Sequence, residues 1–111
     1  MTDTVPPAPP VSPSQQDATI LAETFRLLGD PTRLRILCFC LAGPKSVGDI
    51  AGSLDLSQTL VSHHLRLLRG ARLVRGERQS RQVFYQLADR HVSDMLRDMA
   101  SHVAEEPDDD A

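Results

Sequence analysis

Two short amphipathic segments joined by only about three residues constrain the fold of this chain more than any other feature. The first begins at Ser46-Val-Gly-Asp49, which resembles a helix capping box with aspartate where glutamate is usual, and it runs to Leu54. The second is capped by Ser57 and repeats apolar residues at helical spacing until Gly70. This pattern predicts a helix-turn-helix, whose second helix would enter the major groove of DNA.

Helical periodicity also marks the segments on both sides of this pair. One helix is predicted over residues 17–28 and ends at Gly29, and the next begins at Asp30-Pro31 and ends at Gly43-Pro44. A last helix begins at about Arg90. Its apolar residues have the spacing of a seam against another helix, and they are Val92, Met95 or Leu96, Met99 and Val103.

A β-hairpin is predicted between the second capped segment and the last helix. Two apolar stretches, Leu73-Val74 and Val83–Leu87, flank the polar residues 75–82, which would form a basic tip. The expected fold class is therefore mainly α with a β-hairpin wing, a winged helix-turn-helix.

The ends of the chain differ in composition from its middle. Residues 1–16 hold five of the eight prolines and predict a disordered arm, whereas residues 106–111 form an acidic tail. The domain that remains, residues 17–105, is small for a core of its own, which favours burial of a helix in a homodimer.

The sequence predicts the cellular compartment and shows whether its two cysteines can form a disulfide. We expect a cytoplasmic protein with no membrane association, because there is neither a secretory signal nor a run of eighteen apolar residues. Cys38 and Cys40 would point about 200° apart on a helix, so they cannot bond to each other.

Charge is distributed unevenly along the chain. The net charge is −3, which by itself argues against a nucleic-acid partner. Residues 56–88, however, hold six arginines and one glutamate, a local charge of +5. This basic middle is a candidate phosphate-facing surface, and a solvated charged face is the alternative.

Polar residues on the second capped helix and at the hairpin tip are the candidate DNA contacts. An ordinary surface helix is the alternative interpretation. The glutamine and threonine side chains suit base edges, and the arginines suit phosphates or a narrow minor groove. The candidates are Ser57, Gln58, Thr59, Ser62, His63 and Arg66 on the helix, and Arg78, Gln79 and Arg81 on the hairpin.

Four residues with metal-binding side chains lie at the two ends of the last helix, as Asp89-x-His91 and His102-x-x-Glu105. His91 and His102 share a helical face to within roughly 20° but stand about 16 Å apart along the axis. An antiparallel second copy, with its two-fold axis near Leu96 and Arg97, would bring the opposite ends together. Two sites would result, each with Asp89 and His91 from one chain and His102 and Glu105 of the partner subunit.

Each of these four residues also has an ordinary interpretation when it is taken alone. Asp89 can be the N-cap of the helix, the histidines can be surface residues, and Glu105 can be a solvated acid. Their joint spacing favours a metal site. Two imidazoles and two carboxylates suit Zn(II) first, and Co(II) or Ni(II) could use the same ligands.

The helix-turn-helix and its neighbours resemble the ArsR/SmtB family of bacterial metal-sensing repressors over roughly residues 17–105. The matching motifs are Gly29-Asp-Pro-Thr-Arg-Leu-Arg-Ile-Leu37, Val47-Gly-Asp-Ile-Ala51, Leu56-Ser-Gln-Thr-Leu-Val-Ser-His-His-Leu-Arg-Leu-Leu68 and Val83-Phe-Tyr-Gln-Leu87. The resemblance implies a homodimer that binds operator DNA when metal-free and releases it when an ion binds. It also assigns Asp89, His91, His102 and Glu105 as ligands.

The resemblance carries two further implications. Ser46 stands where another group of these sensors has a cysteine, so a thiolate site is not expected there. The second ring nitrogen of His102 would donate to a backbone carbonyl near Arg72, which would link the ion to the recognition helix.

The function predicted on these grounds is a metal-responsive DNA-binding repressor. A thiol-responsive repressor of the same fold, acting through Cys38 and Cys40, is the alternative, although burial of both cysteines is the stronger expectation. A protein-interaction module is a third class. We do not expect an enzyme, because a four-ligand site leaves no position for water and the sequence shows no nucleophile and base pair.

Overall fold

The computed structural model describes Pro7 and residues 10–107. These residues form five α-helices and a three-stranded sheet. The elements are α1 (Gln15–Leu28), α2 (Pro31–Phe39), β1 (Lys45–Ser46), α3 (Val47–Leu54), α4 (Gln58–Gly70), β2 (Val74–Gln79), β3 (Gln82–Leu87) and α5 (Arg90–Ala104), and one 3₁₀ turn, Cys40–Ala42, follows α2. The predicted fold class, mainly helical with a β-hairpin wing, is confirmed.

The predicted chain ends fall largely beyond this description. Residues 1–6 and 8–9 of the predicted arm, and residues 108–111 of the predicted acidic tail, lie outside the described residues. The boundary of the arm changes, because α1 already begins at Gln15. The hydroxyl of Ser14 accepts a hydrogen bond from the backbone N–H of Asp17 at 3.1 Å and caps the helix there.

Local capping chemistry sets the starts of the helices as the sequence predicts. The side chains of Asp30, Ser57 and Asp89 each accept a hydrogen bond from the backbone N–H three residues further on, at 2.9, 3.1 and 3.1 Å. The predicted capping box is present, since the Asp49 N–H donates to Ser46 Oγ at 3.0 Å and the Ser46 N–H donates to Asp49 Oδ2 at 3.1 Å. The bond from the Ser46 N–H lowers the pKa of the Asp49 carboxyl.

The core of the described domain is built around α4. The most completely buried side chains come from three consecutive helices, and they are Ile36 and Leu37 of α2, Ile50 of α3, and Val61, Leu65 and Leu68 of α4. Val92 and Leu96 of α5 join the same cluster. Burial of these side chains fixes α4 against the rest of the protomer and leaves its opposite face in solvent.

The sheet is antiparallel, with β3 between β1 and β2. The sequence did not predict β1, whose two residues pair as Lys45 with Tyr85 and Ser46 with Phe84. The prediction of a long polar tip was also wrong, because residues 75–79 form most of β2 and only Ser80-Arg81 remain as the loop. Solvent covers much of the hairpin, so its strands lack the alternation that would have revealed them.

Several apolar side chains of the predicted amphipathic helices are exposed in the protomer. In α1, Leu28 is buried, whereas Phe25 is 57% exposed and Ile20 and Leu21 are also exposed. Leu34 of α2 and Leu60 of α4 are exposed as well. The seam predicted on α5 is divided, because its first half packs into the protomer's own core while Met99 and Val103, 53% and 78% exposed, do not.

Close packing across the hairpin gives a test of its structure. A Cβ atom at Gly76 would lie 3.0 Å from Val83 Cγ1 and 3.1 Å from Tyr85 Cε1. We expect Gly76→Ala to lower the free energy of unfolding by about 1–2 kcal/mol, because two packed side chains must shift. Gly52→Ala is the matched control, since nothing lies within 4 Å of its Cβ. Thermal unfolding measures both variants, and the free energy of unfolding of Gly52→Ala should rise by about 0.5–1 kcal/mol. Equal effects of the two substitutions would contradict the close packing around Gly76.

Candidate nucleic-acid interface and metal ligands

The exposed face of α4 carries the predicted base contacts. All six predicted residues, from Ser57 to Arg66, are exposed. Five of them line one shallow cleft of about 410 Å³, and they are Gln58, Thr59, Ser62, His63 and Arg66. The hydroxyl of Ser57 already accepts the capping hydrogen bond of α4. The surface therefore offers amide, hydroxyl, imidazole and guanidinium groups on one side of a helix, which are the groups that read base edges.

The hairpin lies beside the start of this helix. A second cleft is lined by Gln58 of α4, by Gln82 and Tyr85 of β3, and by the first residues of α3. The predicted contacts Arg78, Gln79 and Arg81 are exposed at the end of the hairpin. Ser80 has a φ of 61° and makes the left-handed turn that glycine adopts more easily. The predicted contacts of α4 and those of the hairpin tip are thus all accessible from solvent.

One residue of α4 has a place that the sequence analysis missed. His64 is 7% exposed, and its Nδ1 accepts a hydrogen bond from Arg33 Nε at 3.2 Å. Burial lowers the pKa of His64, and the nearby Arg33 and His63 lower it further, whereas Asp30 raises it. The signal was present in the sequence, because residue 64 falls at helical spacing on the stripe that holds Val61, Leu65 and Leu68.

The four candidate metal ligands lie at the two ends of α5, all exposed. Asp89 is the N-cap, with Oδ1 accepting from the Val92 N–H at 3.1 Å, and His91 lies in the first turn. His102 lies in the last turn, and Glu105 is the C-cap residue. Among the described residues of one protomer, no three histidine, cysteine, aspartate or glutamate side chains come close enough to hold an ion.

The end of α4 and the start of α5 face a common cavity. It measures about 650 Å³ and is lined by Asp89, by Gly70 to Arg72, and by residues of α1 such as Glu23. Arg72 has a φ of 60° at the end of α4, where its N–H donates to the Arg69 carbonyl at 3.0 Å. The candidate ligand Asp89 is therefore a neighbour of the segment that ends the recognition helix.

A largely apolar groove separates α2 from α5. It measures about 340 Å³ and is lined by Leu34, Cys38, Leu96, Met99, Ala100 and Val103. Apolar side chains of this size are usually covered when they lie together on a surface. The groove is thus apolar, whereas the exposed face of α4 is polar and basic.

The two cysteines differ in exposure. Cys40 is buried, and burial raises the pKa of its thiol to about 11. The expectation that both cysteines are buried was wrong for Cys38, which is exposed because it points from α2 into the groove beside α5. Both thiols are free, as the helical spacing predicted.

A helix-turn-helix with an antiparallel hairpin beside its second helix, and basic and polar groups exposed on both, defines a winged helix DNA-binding regulator. Residues 30–75 match the family described as bacterial regulatory protein, arsR family. This chain belongs to that family, which confirms the resemblance to ArsR/SmtB proteins that its motifs predict.

Individual relatives agree with this assignment. A transcriptional repressor SmtB homolog from Synechocystis is 41% identical over 92 residues, covering 83% of this chain and 70% of the relative. The transcriptional regulator NmtR from Mycobacterium tuberculosis is 40% identical over 87 residues, covering 78% and 72%. The structure of HlyU from Vibrio cholerae superimposes with a TM-score of 0.76 at 28% identity, covering 83% of this chain and all of HlyU. No helix in the described part of this chain has the length and apolar character needed to cross a membrane.

Proposed function

We propose that this chain is a metal-responsive transcriptional repressor that binds operator DNA as a homodimer and releases it when Zn(II) binds between the α5 helices. The observation that carries the proposal is the division of four exposed donor groups between the two ends of one 15-residue helix. One protomer cannot gather them, whereas two antiparallel copies can.

The donor groups fit a divalent ion of intermediate softness. His91 and His102 offer imidazole nitrogens, and Asp89 and Glu105 offer carboxylates that offset the charge of the ion. Asp89 uses Oδ1 as the helix cap, and its second oxygen can serve as a ligand without loss of the cap. Zn(II) is the first candidate on this donor set, and Co(II) or Ni(II) can use the same four groups.

The exposed apolar surface supports the homodimer. Met99 and Val103 of α5 line the groove and would leave water if a second copy covered it, and Phe25 of α1 is a further exposed apolar side chain. The candidate ligands lie on the same helix as two of these residues. Assembly of the dimer and assembly of the metal sites would therefore be one event.

The path from the ion to DNA is short in this fold. Asp89 shares a cavity with Arg72, which lies two residues after the helix that carries the predicted base contacts. We propose, from the family resemblance, that the second ring nitrogen of His102 donates to a backbone carbonyl near Arg72. The Arg72 N–H donates to the Arg69 carbonyl in the last turn of α4, so a displacement of Arg72 would also displace the end of α4.

A competition between metal and DNA tests the proposal. The probe is a duplex that the protein itself enriches from a random-sequence pool at low salt, and Zn(II), Co(II) and Ni(II) chlorides are titrated into the complex. We expect Zn(II) to release the duplex, and His91→Ala to remain dimeric but lose this response. Release of the duplex by Zn(II) at unchanged concentration from the His91→Ala protein would contradict the α5 site.

A thiol-responsive repressor is the second candidate, and the exposure of Cys38 is the observation that favours it. The two-cysteine version has less support, because the raised pKa of Cys40 leaves little thiolate near neutral pH. Treatment with hydrogen peroxide in the presence of EDTA distinguishes the candidates. Release of DNA by the oxidant alone, and loss of that release in Cys38→Ser, would favour the thiol mechanism.

A further inference from the structure

A single guanidinium joins three helices behind the recognition surface. Arg33 of α2 donates from Nε to His64 Nδ1 on α4 at 3.2 Å and from Nη1 to the Leu27 carbonyl of α1 at 3.4 Å. The backbone N–H of Arg33 also donates to the Asp30 side chain at 2.9 Å, so α2 begins at this cluster. His64 adjoins His63, which is exposed on the face of α4 predicted to contact DNA.

We propose that Arg33 and His64 are positioning residues that fix the recognition helix against α1 and α2, and that protonation of His64 weakens operator binding. The proposal rests on the proposed DNA-binding function and involves none of the candidate metal ligands. On this proposal, pH changes the affinity for DNA through the Arg33–His64 hydrogen bond, which does not involve α5.

The hydrogen bond requires one protonation state of the ring. Because Nδ1 accepts from Arg33, the proton of neutral His64 must reside on Nε2. An imidazolium carries a proton on both nitrogens and accepts from neither, so the bond to Arg33 would be lost. Two cations would then face each other at a ring that is 7% exposed, and either the ring or the guanidinium would have to move.

The charged and titratable groups that face the ring are Asp30 before α2, Arg33 on α2 and His63 on α4. Asp30 favours the imidazolium, but burial, Arg33 and His63 oppose it, and the pKa of His64 is lowered. The contribution of the neutral ring to stability is thus complete above the unfolded-state pKa of about 6.5 and is lost as pH falls through the lower folded-state pKa.

The test measures DNA affinity against pH in EDTA, with the duplex enriched from the random pool as the probe. In His64→Asn the amide oxygen takes the place of Nδ1 as acceptor but does not titrate, and His64→Gln is a second variant of the same kind. Between pH 7.5 and pH 5.5 we expect the dissociation constant of the wild type to rise more than that of either variant, by at most about tenfold per subunit because the pKa of His64 lies below about 6.5.

Each outcome has a distinct meaning. Identical pH profiles for the wild type and a folded His64 variant would overturn the proposal. If no duplex is enriched at any pH although the protein is folded, the proposed DNA-binding function fails instead. If both His64 variants unfold, NMR titration of the wild-type ring decides, because the proposal requires a lower pKa for His64 with the duplex bound than without it, and equal values would overturn it.

Discussion

His102→Ala should bind operator DNA with unchanged affinity and lose most of its response to Zn(II). His102 is exposed in the last turn of α5, away from the core, so its removal should not unfold the protomer. If one ligand and its link toward Arg72 are removed together, the coupling between metal and DNA should fall by roughly 5- to 150-fold, the usual range for coupled sites. Fluorescence anisotropy of a labelled duplex, with and without saturating Zn(II), measures this ratio.

The control for this experiment is Glu106→Ala, which removes an exposed acid next to Glu105 outside the proposed ligand set. It should keep the full response. If His102→Ala also releases the duplex at the wild-type concentration of Zn(II), the assignment of His102 is wrong. If Zn(II) fails to act on the wild type while Co(II) or Ni(II) does, the site stands and the choice of ion is wrong.

Met99→Glu should separate the protomers without unfolding them. The Met99 side chain is 53% exposed in the protomer, so a carboxylate there costs little until a second copy covers it. In a dimer that buries the groove, an unpaired charge costs several kcal/mol, so the dissociation constant should rise by about 100-fold or more. Sedimentation velocity over a range of concentrations measures the shift, and operator affinity should fall in parallel.

Val11→Glu is the matched control for Met99→Glu. Val11 is 89% exposed and precedes α1, so the same change of an exposed apolar residue to glutamate should leave the dimer intact. A dimer that tolerates Met99→Glu equally well would show that the groove beside α5 faces solvent in the assembled protein. The proposed antiparallel pairing of α5 would then have to be abandoned.

Features that depend on residues a few positions apart could be predicted from the sequence. The starts of α2, α3, α4 and α5 follow from side chains that accept a backbone N–H three residues away, and such contacts are written directly into the chain. The exposure of the polar face of α4 follows from its periodicity. Helix capping and apolar periodicity were therefore sufficient to predict the helix-turn-helix.

Features that depend on distant or external partners could not be predicted in this way. The two residues of β1 gain their structure from pairing with β3, some forty positions later, and no local pattern marks them. Apolar periodicity shows that one face of α1 avoids water, but not whether the cover is the same chain or another. The sequence alone therefore cannot tell whether Phe25 and Met99, which are exposed in the protomer, are covered by a second copy.

The two candidate sites differ in how far one chain can define them. Five of the predicted DNA contacts line one cleft that is already formed in the protomer, although the base that each residue meets depends on the operator. The predicted metal ligands lie two at each end of α5, and the proposed sites would need a second copy of the chain to be complete. The burial of His64 was not predicted, because histidine is polar although its position lies on the apolar stripe of α4.

Ser46 belongs at once to the sheet and to the helix-turn-helix, since it pairs with Phe84 of β3 and caps α3. Because Ser46 joins the sheet to α3, and α3 packs against α4, the hairpin and α4 should move as one rigid body within each subunit. In a dimer, the spacing between the two copies of α4 would then be matched to the two halves of an operator, or mismatched, by rotation of one whole subunit relative to the other. An effector that fixes or changes the angle between the two subunits can therefore abolish DNA binding without altering any side chain that faces a base.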